Sequence, residues 1–181
     1  MSTEAPGRAV PDRGAKPRSG DRWRAGLAAL AVAAGALAID QATKAVAEVA
    51  LASGPVHVGI LHLRLVANRG ILLGLIVLPI WLLTLVVLTV VAAALRAVWR
   101  GGIYQSMVYA LLSGGAMGNL LDRYLHRTAF PPHAVVDWLS FGGMTFNLAD
   151  VFVVAAAVLL LLGQESGEQV EAGGAGVPPG G

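Results

Sequence analysis

Ile71 to Leu95 is a run of 25 residues without a charged side chain, and no other feature constrains the chain so tightly. About 20 apolar residues in a helix cross the hydrocarbon core of a bilayer. In lipid such a run must be a helix, because backbone N–H and C=O groups find no water to satisfy them there. Pro79 interrupts the run, which membrane helices tolerate where neighbours satisfy the freed carbonyl. With 56% hydrophobic and only 13% charged residues and a mean hydropathy of +0.68, the 181-residue chain as a whole departs from a soluble domain in the same direction.

Three further segments read as spans. Gly101 to Leu121 is uncharged, and Thr145 to Leu162 is a span if Asp150 is accepted inside it. Ala25 to Ile39 is too short alone, so the first helix must run on through Asp40 and Lys44. Six of the thirteen basic residues (Arg8, Arg13, Lys16, Arg18, Arg22, Arg24) precede it, and Arg96 and Arg100 separate the second and third spans. By the excess of basic residues in cytoplasmic loops, both termini are expected inside. A cleaved signal peptide is the rival for the first span, since Ala36-Leu37-Ala38 resembles a small-residue cleavage site; a retained helix is favoured. The expected fold class is therefore an all-α membrane protein, four transmembrane helices with small β elements in the extracytoplasmic loops. The β elements are expected at His62-Leu63-Arg64-Leu65-Val66 and Ala134-Val135-Val136-Asp137-Trp138, within outer segments 51–70 and 123–144. Domain organisation follows: residues 1–24 a disordered basic cytoplasmic tail, 25–163 the transmembrane domain, 164–181 a disordered Gly-rich cytoplasmic tail.

Outside the tails only Asp40, Glu48, Asp122, Asp137 and Asp150 are acidic, and all five map to the outer side. A carboxylate at membrane depth costs several kcal/mol and normally faces a bundle interior or wet cavity. Asp40 and Lys44 are spaced i,i+4, which suits a structural ion pair, and Asp122 beside Arg123 suggests local charge balance. Glu48 lies further out and reads as solvated. Asp137 and Asp150 have no Lys or Arg within four positions, so they are the better candidates for chemistry. Asn119, Asp122 and Arg123 share one helical face, and Asn147 with Asp150 repeats the Asn-x-x-Asp spacing. Gly114, Gly115 and Gly118 include a small-xxx-small pattern that lets helices approach closely, with packing as its expected role. The absence of cysteine excludes disulfides, a thiol nucleophile and thiolate metal sites. His57, His62, His126 and His133 match no usual ligand spacing, and Arg64, Arg69, Arg123 and Arg127 are assigned no catalytic role.

Five stretches together resemble the lipoprotein signal peptidases (signal peptidase II), membrane-embedded aspartyl peptidases of the bacterial inner membrane: DQATK (40–44), NRG (68–70), GGAMGNLLDR (114–123), VVDW (135–138) and FNLAD (146–150). The resemblance covers roughly residues 25–162. It implies Asp137 and Asp150 as the catalytic pair, with Asp40, Lys44, Asn68, Gly70, Asn119, Asp122, Arg123 and Asn147 in substrate-binding or supporting roles. It implies removal of signal peptides from diacylglyceryl-modified prolipoproteins by cleavage before the lipidated cysteine, with no metal or other cofactor. The implied partners are lipid-modified prolipoprotein signal peptides and membrane lipids, without nucleic acid, for a monomer. Two departures stand out: Ile71-Leu72-Leu73-Gly74 follows the first-loop Asn-x-Gly where the family usually carries small residues and a Phe, and Trp138 replaces a commoner Phe. The first bears on the shape of the pocket.

Two carboxylates a few ångströms apart share a proton, one with its pKa lowered and one raised. One member of such a pair activates water and the other stabilises the oxyanion. The alternative of a different class is a proton-coupled small membrane transporter or relay using the same acids. Transporters usually bind near the midplane between structural repeats, whereas here the acids gather at one interface and no repeat is visible.

Overall fold

In the computed structural model, residues 19–71, 76–125 and 130–174 are described. Four helices and four strands run in the order α1 (Ser19–Ala50), β1 (Val56–Val58), β2 (Leu61–Asn68), α2 (Ile80–Trp99), α3 (Ile103–Tyr124), β3 (Val135–Phe141), β4 (Met144–Phe146) and α4 (Leu148–Gly174). α1 and α2 are long and apolar enough to cross a membrane, and Leu148–Gly163 of α4 is a shorter apolar stretch. α3 falls outside that description because Gln105, Ser106, Ser113, its glycines, Asn119, Asp122 and Arg123 lower its hydropathy.

Three boundaries differ from the sequence expectation. The 25-residue uncharged run is not one helix: Ile71 pairs with Ile76 as an isolated antiparallel bridge, and α2 begins only at Ile80. Pro79 is the N-cap of α2 and not an interior kink. Proline lacks the N–H that a helix interior needs, and a helix start leaves that N–H unpaired in any case. α1 begins at Ser19, inside the expected tail, and the backbone of α4 stays helical to Gly174, past the expected end of the membrane domain at 163.

α3 is the central helix, packed against α1, α2 and α4. Its glycines explain how. A Cβ on Gly114 would stand 2.6 Å from the Ala33 carbonyl oxygen and 2.8 Å from the Ala36 Cβ on α1, and one on Gly115 would stand 2.7 Å from the Ala149 carbonyl oxygen on α4. Backbones meet where side chains are absent, which is how helices bind one another when burying apolar surface brings no gain.

The strands form one antiparallel sheet in the order β1-β2-β3-β4. Both expected strand runs are present, as β2 and β3. Their hairpin partners β1 and β4, three residues each, are too short to show an alternation in sequence. Asn68 pairs with Val135 at one end of the sheet and His62 with Ser140 at the other, with a bulge in β2 between Leu63 and Val66. The Asn68 end sits over the ends of α1, α3 and α4, and this placement builds the site.

Candidate active site

The helix ends bring together a lysine and two carboxylates that no single segment contains. Lys44 Nζ lies 2.7 Å from Asp40 Oδ2 and 2.8 Å from Asp122 Oδ2, and all three side chains are fully buried. Its third hydrogen goes to Asn119 Oδ1 at 3.0 Å, so every donor of the ammonium is used. The remaining carboxylate oxygens are also held. The backbone N–H of Ala149 donates to Asp40 Oδ1 (3.0 Å), that of Val136 to Asp122 Oδ2 (3.2 Å), and Gln41 Nε2 to Asp122 Oδ1 (3.0 Å). Gly118 makes the room: a Cβ there would lie 2.5 Å from Asp40 Oδ2.

The expected Asp122–Arg123 balance is present as a longer-range attraction, and a second cation is added in contact. The cation seated on Asp122 is Lys44, from another helix. Arg123 donates through Nη1 to the Asn119 carbonyl (2.9 Å) and through Nη2 to the Gly70 carbonyl (2.8 Å), tying α3 to the loop after β2. Consecutive residues on a helix point about 100° apart, so Asp122 and Arg123 look toward different neighbours.

Asp137 on β3 and Asp150 in the first turn of α4 line one cavity of about 300 Å³. Three asparagines address them. Asn68 Nδ2 donates to Asp137 Oδ2 (2.9 Å), Asn147 Nδ2 to Asp137 Oδ1 (2.7 Å) and Asn119 Nδ2 to Asp150 Oδ1 (2.8 Å). Each amide is oriented by what its oxygen accepts: Asn68 Oδ1 from the Gly70 N–H, Asn147 Oδ1 from the Asp150 N–H, Asn119 Oδ1 from Lys44 and from Asn147 Nδ2. With the oxygens engaged, the NH2 groups have to face the carboxylates. The hydrogen-bond link from Lys44 to the Asp137/Asp150 cavity thus runs through Asn119.

The two Asn-x-x-Asp spacings do different work. On α3, Asn119 and Asp122 share a helical face, as the spacing implies. Asn147 precedes α4 and caps it: its Oδ1 accepts the Asp150 N–H at 3.0 Å while Asp150 Oδ2 accepts the Asn147 N–H at 3.2 Å. This is a reciprocal capping box, and it anchors Asp150 at a helix start, where orphan N–H groups favour negative charge.

Burial drives the Asp137 carboxyl from its ordinary 3.8 up to about 7. The neighbouring Asp150 pushes in the same direction, against the hydrogen bonds from Asn68 and Asn147 and the charge of Lys44. Asp137 is 1% exposed, and Asp150 is only half-buried. The rest of the cavity wall is mostly apolar, with Leu83, Val86 and Val87 from α2 facing the carboxylates.

Of the other sequence candidates, Gly70 and Ile71 line the same cavity, while positions 72–74 of the departing segment lie outside the described residues, as do His126 and Arg127. Trp138 lines a separate apolar crevice against the last turns of α1. His57 and His62 meet edge to face on the sheet with centroids 4.3 Å apart, and His133 Nδ1 lies 2.9 Å from the Arg123 carbonyl. Among the described residues no group of three or more His, Asp or Glu side chains is arranged to hold a metal. Sequence reasoning misses Gln41 and the Ala149 and Val136 N–H groups. Gln41 stands inside the DQATK stretch, but two backbone donors leave no mark in a sequence.

The sequence model of the family described as Signal peptidase (SPase) II matches residues 32–164. The chain belongs to the signal peptidase II family. A lipoprotein signal peptidase of Bifidobacterium longum (strain DJO10A) is 38% identical over 135 residues, covering 72% of this chain and 74% of that protein. One from Bifidobacterium adolescentis is 39% identical over 141 residues, covering 74% and 75%, and one from Mycobacterium bovis (strain BCG / Pasteur 1173P2) is 36% identical over 167 residues, covering 88% and 78%. A bacterial membrane enzyme solved by the in meso method at 2.3 Å resolution superposes with a TM-score of 0.64 at 19% identity, over 76% of this chain and 87% of that one. At that identity the likeness speaks for the fold: helices with a small antiparallel sheet. As a signal peptidase II the chain is a peptidase, and its apolar helices fit a membrane protein.

Proposed function

We propose that this signal peptidase II is a membrane-embedded aspartyl endopeptidase that removes signal peptides from diacylglyceryl-modified prolipoproteins, cutting before the lipidated cysteine, with Asp137 and Asp150 as its catalytic dyad. The observation that carries the reading is that these two carboxylates line one cavity and are addressed by amide N–H groups alone, while the nearby lysine is spent on Asp40 and Asp122. All four helices cross the bilayer in this reading, with both termini cytoplasmic and the site near the outer face of the inner membrane.

Asp137, which holds its proton up to about 7, is the acid, and Asp150 is the base. Ionised Asp150 takes a proton from a water whose oxygen attacks the scissile carbonyl carbon, and the Asp137 O–H donates to the developing oxyanion. Collapse of the tetrahedral intermediate breaks the C–N bond, and the proton gained by Asp150 passes to the leaving amine. Asn68, Asn119 and Asn147 are positioning residues that hold both carboxylates through the cycle. The apolar α2 wall receives the lipid-bearing side of the substrate, and main-chain groups of the sheet hold the peptide extended. Lys44, Asp40, Asp122 and Arg123 support the site without touching the scissile bond.

Purified protein incubated with a diacylglyceryl-modified preprolipoprotein tests this by a mobility shift on a gel. Wild type is expected to cleave, and Asp137→Asn and Asp150→Asn each to fail while eluting as folded protein. Full cleavage by either variant sinks the dyad. Proton or solute flux in liposomes by a wild type that cleaves nothing would replace the peptidase with the transporter reading.

A further inference from the structure

The face of β3 that presents Asp137 to the helices does not end with the site. Side chains alternate across a strand, so Asp137, Leu139 and Phe141 share that face. Phe141 pairs with Met144 across the β3–β4 turn. The β1–β2 turn lies at this same end of the sheet, because His62 pairs with Ser140 and Val58 with Leu61. The result is an apolar end, with Val58 55%, Ile60 75%, Phe141 47% and Met144 48% exposed. The opposite face at the same end is polar, with His57 against His62 and Arg64 donating to Ser140 and Thr145. Apart from Asp137, no residue in 51–70 or 135–146 is acidic.

A cluster of large apolar side chains held out on tight turns at Gly59 and Gly142-Gly143 needs an occupant. Its direction names one. Asp137 looks into the cavity among α2, α3 and α4, so the outer part of the same face looks the same way, past the edge of the bundle. There the exposed apolar side chains of α2, Val86 and Leu88 among them, mark the surface that meets lipid. We propose that the outer end of the sheet dips into the bilayer leaflet on the site's side, phospholipid acyl chains covering Val58, Ile60, Phe141 and Met144. His57, His62 and Arg64 on the upper face lie at headgroup level, where the absence of carboxylates favours anionic lipid. The sheet is then held at both ends, by the helix termini at Asn68 and by lipid at the turns. This rests on the reading of the helices as membrane spans.

The chain has no cysteine, so single-cysteine variants report without background. Ile60→Cys, Met144→Cys, His57→Cys and, on the exposed flank of α2, Leu88→Cys are spin-labelled and placed in nanodiscs of phosphatidylethanolamine and phosphatidylglycerol, after cleavage of the lipoprotein substrate has shown each to be folded. Collision rates with oxygen, which concentrates in lipid, and with a water-soluble nickel chelate are compared. Labels at 60 and 144 are expected to show a severalfold higher oxygen-to-nickel ratio than the label at 57, approaching that at 88. Ratios at 60 and 144 equal to that at 57 overturn the proposal, as does spin–spin broadening at these sites from a second copy of the chain. A nickel-accessible label at 88 would remove the membrane-span reading itself, a failure separable from that of the sheet.

Discussion

Two pairs of aspartates lie within one network and are treated in opposite ways. Asp40 and Asp122 share the ammonium of Lys44 at 2.7 and 2.8 Å and are also bound by backbone N–H groups. Asp137 and Asp150 receive only amide donors from Asn68, Asn119 and Asn147 and open onto a cavity. The difference is between carboxylates held by a shared cation and carboxylates held by neutral donors at a cavity. A full countercharge with every oxygen satisfied leaves no carboxylate oxygen open to a reacting group. Neutral donors orient a carboxylate yet leave its proton free to move, because they hold the charged form less strongly than a cation does.

The largest effect expected from breaking the contrast is on catalysis. Asp137→Asn and Asp150→Asn should each reduce cleavage by about 10³-fold or more, whereas Asp40→Asn should retain measurable turnover, as scored by substrate cleavage. Removing the countercharge comes next. Lys44→Ala leaves two buried carboxylates without a cation and should cost about 3–5 kcal/mol, read from thermal unfolding in detergent. Gly118→Ala places a methyl on the Asp40 carboxylate and should cost about 1–3 kcal/mol, read in the same way.

Smaller effects sharpen the proton assignment. Loss of the Asn68 hydrogen bond removes a donor that favours ionised Asp137, so Asn68→Ala should move the alkaline limb of the pH–rate profile upward from about 7. The same proton affects stability. Folded protein keeps the Asp137 proton to about 7, whereas the unfolded chain releases it from 3.8. The folded state therefore binds more protons in that window, and this contribution, fully present below 3.8, is lost as pH rises to about 7. Unfolding tracked across that window should show the decline in wild type and a flatter curve in Asp137→Asn.

Much of the site is legible in the sequence because its motifs are local. Asn147 and Asp150 sit three residues apart, Asn119 to Arg123 occupy one helical turn, and the lack of a basic neighbour marks out Asp137 and Asp150. Pairings that join distant segments are not legible. The sequence neighbour of Asp122 is Arg123, but the cation in contact with it is Lys44, brought from 78 positions away by α1–α3 packing. The α2 boundary escapes the sequence for a related reason: hydropathy reports which solvent a segment prefers and says nothing of where its hydrogen bonds go. Ile71 to Pro79 is as apolar as the helix beginning at Ile80, yet its first part pairs as a bridge.

By itself, the sequence determined the solvent, the polar residues that lipid would force together, and the family, through five separated motifs. Those depend on composition and on spacings within a helical turn or a strand, which a chain carries before it folds. Only the tertiary structure decided which carboxylates share the lysine and which open onto the cavity. That depends on glycine-lined contacts between α1, α3 and α4 and on the sheet lowering Asp137 over the helices, where burial and hydrogen bonding, set in three dimensions, give each aspartate its partners.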